Sequence, residues 1–172
     1  MLKLKRTIFP FLILSLIVLT LEACKKNKVA DIDKELYDLS KETSGFTWYK
    51  NSSSFLNKSS GSGHSQPLLR TRYNAVATTM LDASGKVMEG ISFPDGSLIV
   101  KELNENSSTL ERYAILYKKS DSEYADANGW IWGYLEEDGK VIQPASDKGS
   151  SCISCHSQAG NIDYMLMNKY FP

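Results

Sequence analysis

The chain has 172 residues, 42% apolar and 23% charged, enough for one domain with a buried core and too apolar for a disordered chain. Lysine plus arginine and aspartate plus glutamate number 20 each, so the formal net charge is zero. No bulk basic field exists to attract nucleic acid, which is excluded as a partner on that ground.

Lys3, Lys5 and Arg6 precede "IFPFLILSLIVLTL", an apolar run at 8–21. This is short for a membrane span and suits an export signal. It ends in "LEAC", which resembles the cleavage box of bacterial lipoproteins, with Leu21 and Ala23 in the expected places and Glu22 departing from the pattern. The expectation is a lipoprotein signal peptide over 1–23, acylation of Cys24 and a tether over 24–30. Acyl chains on Cys24 would hold the body at a membrane surface of the bacterial envelope, facing the periplasm, without crossing the bilayer.

The remaining body, 31–172, reads as one domain. In "VADIDKELYDLSKET" (29–43) Ile32, Leu36 and Leu39 have helical spacing and predict a short amphipathic helix. Phe46, Trp48 and Tyr49 follow as core anchors. "NSSSFLNKSSGSGHSQP" (51–67) has loop composition, and His64 within it reads as a solvated loop histidine. Strands are predicted over 68–81, 86–93, 97–103, 110–119 and 130–136, with turns at "PDG" (94–96) and "DANG" (126–129). A short closing helix is predicted within 161–171. Strands joined by turns give an α+β fold, mainly an antiparallel sheet with flanking helices.

Alternation places Ile99, Lys101 and Leu103 on one sheet face and Leu98 and Val100 on the other. Lys101 is thus flanked by apolar neighbours. It likewise separates Trp130, Trp132 and Tyr134 from Ile131, Gly133 and Leu135, and Gly133 marks a close approach of some other group, haem included.

"SCISCH" (151–156) holds two of the three cysteines and one of the two histidines. C-x-x-C-H is the attachment signature of c-type haem. On one helical turn Cys152 and Cys155 share a face, each able to form a thioether with a haem vinyl group, and His156 projects as an axial ligand to the iron. A redox dithiol leaves His156 unexplained, a zinc site finds only His64, in the loosest part of the chain, as an obvious fourth ligand, and a plain disulfide remains open for an exported chain. Motif and export signal together favour one covalent haem c. Its sixth ligand decides between electron transfer and small-molecule binding. His64 is unpromising as that ligand, Met80, Met88, Met165 and Met167 are the conceivable donors, nothing local nominates one, and an open distal face is the preferred reading.

The order of "YNAVA" (73–77), "FPDGSLIVKE" (93–102), "YAILYKK" (113–119), "GWIWGYL" (129–135) and "CISCH" (152–156) resembles the cytochrome P-460 family and its relatives, the beta-fold cytochromes c-prime. The resemblance implies haem against one face of an antiparallel sheet, usually in a homodimer. In one branch a lysine is bonded to the porphyrin edge and hydroxylamine is oxidised. In the other the bond is absent and nitric oxide or carbon monoxide binds. By resemblance Lys101 is the candidate for that lysine. Arg72, with Arg70 on the same strand face, is a candidate for the distal pocket, and Glu136, Glu137 and Asp138 are weak candidates for a distal carboxylate. Partners follow in kind: a small nitrogenous or gaseous ligand, and an electron-transfer protein.

Overall fold

The computed structural model of the protein describes residues 31–172, so the signal peptide, Cys24 and the tether lie outside the described residues. Residues 31–41 form helix α1. The strands are β1 (Thr47–Trp48), β2 (Leu56–Asn57), β3 (Leu68–Tyr73), β4 (Leu98–Asn106), β5 (Thr109–Lys118), β6 (Trp130–Glu136) and β7 (Val141–Gln143). They make one antiparallel sheet in the order β1-β3-β4-β5-β6-β7, with β2 also paired to β3. The helices α2 (Ala75–Thr78), α3 (Ile153–His156) and α4 (Met167–Tyr170) are each four residues long.

Strand alternation divides the core in two. One face buries Leu98, Val100, Ile115, Ile131 and Leu135 beneath Ile32 and Leu36 of α1. The other buries Leu69, Tyr73, Ile99, Leu103, Leu116, Trp130 and Trp132 against the C-terminal segment. Leu36 is fully buried, and a Cβ at Gly133 would lie 2.9 Å from its Cδ1. The close approach at Gly133 is therefore made by α1, on the face away from the C-x-x-C-H turn.

Three expected elements change for local reasons. The strand expected over 68–81 ends at Tyr73. There the Asn74 side chain accepts from the Ala77 N–H at 2.9 Å, capping α2, and from the Leu98 N–H at 3.0 Å. Residues 86–93 form no strand, only the bridge Leu81↔Val87, because Asn168 takes both backbone groups of Val87, donating to its carbonyl at 2.7 Å and accepting from its N–H at 3.3 Å. The closing helix shrinks to α4, since Asp163 and Tyr164 have φ of 45° and 71° and cannot continue a helix.

Arg72 does not reach a distal pocket. Its neighbour Thr71 points to the C-terminal segment, so Arg72 points to the α1 face, where it is 1% exposed. Its guanidinium donates to Glu102 and to the carbonyls of Ser40 and Glu42, and lies 5.5 Å from the ring centroids of Phe46 and Trp48. Arg70, on the same face, also pairs with Glu102. Arg72→Met would strand part of the Glu102 charge in the core. Chemical denaturation should show a loss of about 3 kcal/mol, while the visible spectrum of the cofactor-loaded protein should stay unchanged.

Candidate functional site

A cleft of about 310 Å³ opens between the second sheet face, the α3 turn and the C-terminal segment. That is the lower end of the roughly 300–1,000 Å³ usual for cofactor sites. Lys101 and Tyr134 line it from the sheet, Cys152, Cys155 and His156 from the α3 turn, and Leu166, Met167 and Phe171 from the C-terminus. His64 lines it from the loop.

The α3 turn is set by what precedes it. Gly149 has φ of 69°, and its carbonyl accepts from the N–H groups of Cys152 and Ile153 at 2.8 and 2.9 Å. A Cβ at Gly149 would lie 2.6 Å from the Trp132 ring, so the chain passes over the indole only as glycine. Cys152 is partly buried, Cys155 is exposed, and both are free thiols, not joined to each other.

His156 is oriented by its backbone partner. Its Nδ1 lies 2.8 Å from the Tyr164 carbonyl oxygen, which can only accept, so Nδ1 carries the proton and Nε2 keeps its lone pair. The ring stands edge-on to Trp132 at 5.3 Å. Trp132 is held in turn by its indole N–H donating to Asp126 at 2.8 Å and by the Tyr164 ring at 5.2 Å. Tyr164 accepts through its hydroxyl from Asn128 at 2.7 Å. Burial, then the Lys101 charge, pull the imidazole of His156 down to about 4, which keeps it neutral.

Beneath this stands Asp163. It accepts from the Phe93 N–H and the Trp130 indole N–H, each at 2.9 Å, and pairs with Lys118 at 3.3 Å. These bonds hold residues 163 and 164 in the left-handed region and so aim the Tyr164 carbonyl. Sequence reasoning passed over Asp163. The signal available was an acidic residue directly before the aromatic of "NIDYM".

Lys101 projects into the same cleft, on the face that alternation assigned to it. Among the described residues its amine has no hydrogen-bond or ion-pair partner. Burial pulls it down to about 8, with Cys155 acting weakly in the opposite direction. A lowered lysine holds a larger neutral, nucleophilic fraction near pH 7 than an ordinary lysine does.

His64 is not a solvated loop residue. Lys58 N–H donates to the Pro67 carbonyl at 2.7 Å and β2 pairs with β3, so the ends of the loop are pinned and its middle folds back over the cleft. The His64 ring lies 5.8 Å from that of Tyr134 and 6.5 Å from that of His156. Burial, then the charges of Lys101 and His156, pull it down to about 3.

The expected carboxylates lie elsewhere. Glu136 pairs with Lys140 at 3.2 Å, and Glu137 and Asp138 line a separate surface groove. Among the described residues no carboxylate lines the cleft; Asp147 lines a smaller adjoining cavity of about 60 Å³ that shares Lys101, Tyr134, Cys152 and His156 with it. The Met167 sulfur accepts from the Thr71 hydroxyl at 3.4 Å, and Met88 is exposed.

These residues fit a haem c: two free thiols on one helical turn, an imidazole with a free Nε2, and a cleft whose remaining walls are mostly apolar. Among the described residues, no three His, Cys, Asp or Glu side chains are placed to hold a metal ion by themselves, which counts against zinc.

A family model described as Cytochrome P460 matches residues 47–167, which contain Lys101, Cys152, Cys155 and His156. No curated protein and no solved structure matches the chain.

Gly149→Ala should lower stability by about 1–3 kcal/mol, because the new methyl meets Trp132 and the backbone is left-handed there. Thermal unfolding of the apoprotein checks it. Gly90→Ala, also left-handed but with open space around its Cβ, is the control that isolates the contact.

Proposed function

The chain belongs to the cytochrome P460 family, a family of haem c cytochromes. From that premise we propose that it is a monohaem c cytochrome, anchored to a bacterial membrane through Cys24 and facing the periplasm, that oxidises hydroxylamine or a related small nitrogen compound. The observation that carries this reading is the Lys101 amine, without a partner among the described residues and sharing the cleft with the C-x-x-C-H turn.

Each side chain then has a role. Cys152 and Cys155 would hold the cofactor by thioethers, and His156 would offer Nε2 to the iron, its ring fixed by the Tyr164 carbonyl. Lys101 would be the group bonded to the porphyrin edge, its nitrogen replacing a ring hydrogen while two protons and two electrons pass to an oxidant such as a peroxide. Haem c supplies an iron that binds a small ligand and accepts electrons. The loop over the cleft and the apolar walls limit water at the site. His64 in the cleft and Asp147 in the small cavity beside it are the nearby proton acceptors. Electrons released by the oxidation pass to a partner protein, and the working unit is a homodimer.

The scarcity of carboxylates in the cleft favours a second reading: without the lysine bond, the site binds nitric oxide or carbon monoxide and turns nothing over.

Intact mass after denaturation and the reduced absorption spectrum, taken for wild type and Lys101→Met, test the proposal. Haem mass should survive denaturation in both. Wild type should show a broad, red-shifted reduced Soret band that Lys101→Met loses together with hydroxylamine oxidation. An apo mass in the wild type overturns the haem reading. Identical ordinary spectra overturn the lysine bond and leave gas binding. The anchor is checked by cell fractionation: Cys24→Ser should move the protein out of the membrane fraction.

A further inference from the structure

Across the cleft from His156 stands His64. Their ring centroids are 6.5 Å apart and their planes are inclined by 74°. Two imidazoles that bind one metal from opposite sides have centroids about 6.3 Å apart, given metal–nitrogen bonds of roughly 2.0–2.1 Å and a ring radius of about 1.1 Å set by ring bonds near 1.33 Å. The two histidines are thus spaced as if to share an iron. Among the described residues the ring nitrogens of His64 have no hydrogen-bond partner, although burial of an unpaired imidazole is unfavourable.

We propose that His64 is the second axial ligand of the haem iron in the resting protein, opposite His156, carried on a loop that must release it before a small ligand can bind. The proposal rests on the haem reading given above and changes the expected open site into a self-closed one.

The loop suits that task. Its base is fixed by the pairs Leu56↔Leu69 and Asn57↔Leu68. Its tip is held by local bonds: Ser62 N–H to the Ser59 carbonyl at 3.0 Å, Gly61 N–H to the Ser59 hydroxyl at 3.4 Å and His64 N–H to the Ser62 hydroxyl at 3.3 Å. Gly61 rests on the Tyr170 ring, where a Cβ would lie 2.4 Å from the nearest ring carbon, and Gly63 passes 4.0 Å from the Cys155 sulfur measured from the same kind of built atom. Bonds that close within the loop move with it, so the tip can lift without breaking the sheet. Lys101 reaches the same cleft from the middle of β4, paired on both sides, and has no such freedom.

The test is the spin state of the purified ferric holoprotein, read by absorption and electron paramagnetic resonance, with carbon monoxide binding to the ferrous form beside it. Wild type should be six-coordinate and low-spin. His64→Leu and His64→Gly should be high-spin, and added imidazole should return His64→Gly to low-spin. Lys101→Leu should stay low-spin. With the released loop populated at about 0.1–10%, removing the imidazole should tighten carbon monoxide binding about 10- to 1,000-fold. A high-spin wild type, a low-spin His64→Leu, or a low-spin state lost in Lys101→Leu overturns the ligand assignment and leaves hydroxylamine oxidation standing. A wild-type chain that carries no haem overturns the haem reading itself, and the ligand assignment with it.

Discussion

Asp163 is the carboxylate on which the site depends. A single side chain accepts from the Phe93 backbone and the Trp130 indole and pairs with Lys118, tying the C-terminal segment to the sheet at two places and to the segment before β4 at a third. It does so from a left-handed backbone conformation that it shares with Tyr164. Without those bonds neither residue would be held there, because an ordinary side chain in this region is disfavoured. The conformation aims the Tyr164 carbonyl at His156 Nδ1, and that bond decides which imidazole nitrogen is free. A buried ion pair thus sets the tautomer of a proposed metal ligand seven residues away.

The sheet separates stability from chemistry by the pleat alone. Residues 70, 72 and 102 point to the α1 face and form a closed charge cluster of Arg70, Arg72 and Glu102. Residues 71, 101 and 103 point to the cleft face. Lys101 and Arg72 occupy opposite sides of this alternation. Arg72 meets a carboxylate and two carbonyls, whereas Lys101 meets no partner among the described residues. A cation satisfied on every side is structural, while one left unpaired at a cofactor cleft is available for chemistry.

Much of this was legible in the sequence where the period was regular. The three long strands, the amphipathic α1 and the facing of Lys101 follow from alternation and helical spacing. What was not legible turned on single side chains that bond to distant backbone. Asn74 ends a strand and Asn168 replaces one, and neither act leaves a periodic trace. Gly133 was read rightly as a close approach, but spacing cannot say which element approaches. The position of Asp163 depends on contacts at separations of 33 to 70 residues.

His64 is the instructive case, because composition argued against it. Serine and glycine make a loop cheap to bend, and that was taken to mean exposure. Pinning the two ends converts the same freedom into reach, since a flexible segment with fixed ends can cover whatever lies between them. Lys101 and His64 then enter one cleft by opposite routes. Lys101 is locked in a paired strand and suits a permanent bond. His64 sits on locally bonded chain and suits a bond that must be made and broken. If both engage one haem, the division follows from the backbone behind each side chain. A cofactor fixed at its edge by a strand can be opened at its face by a loop, with no change in the sheet that carries it.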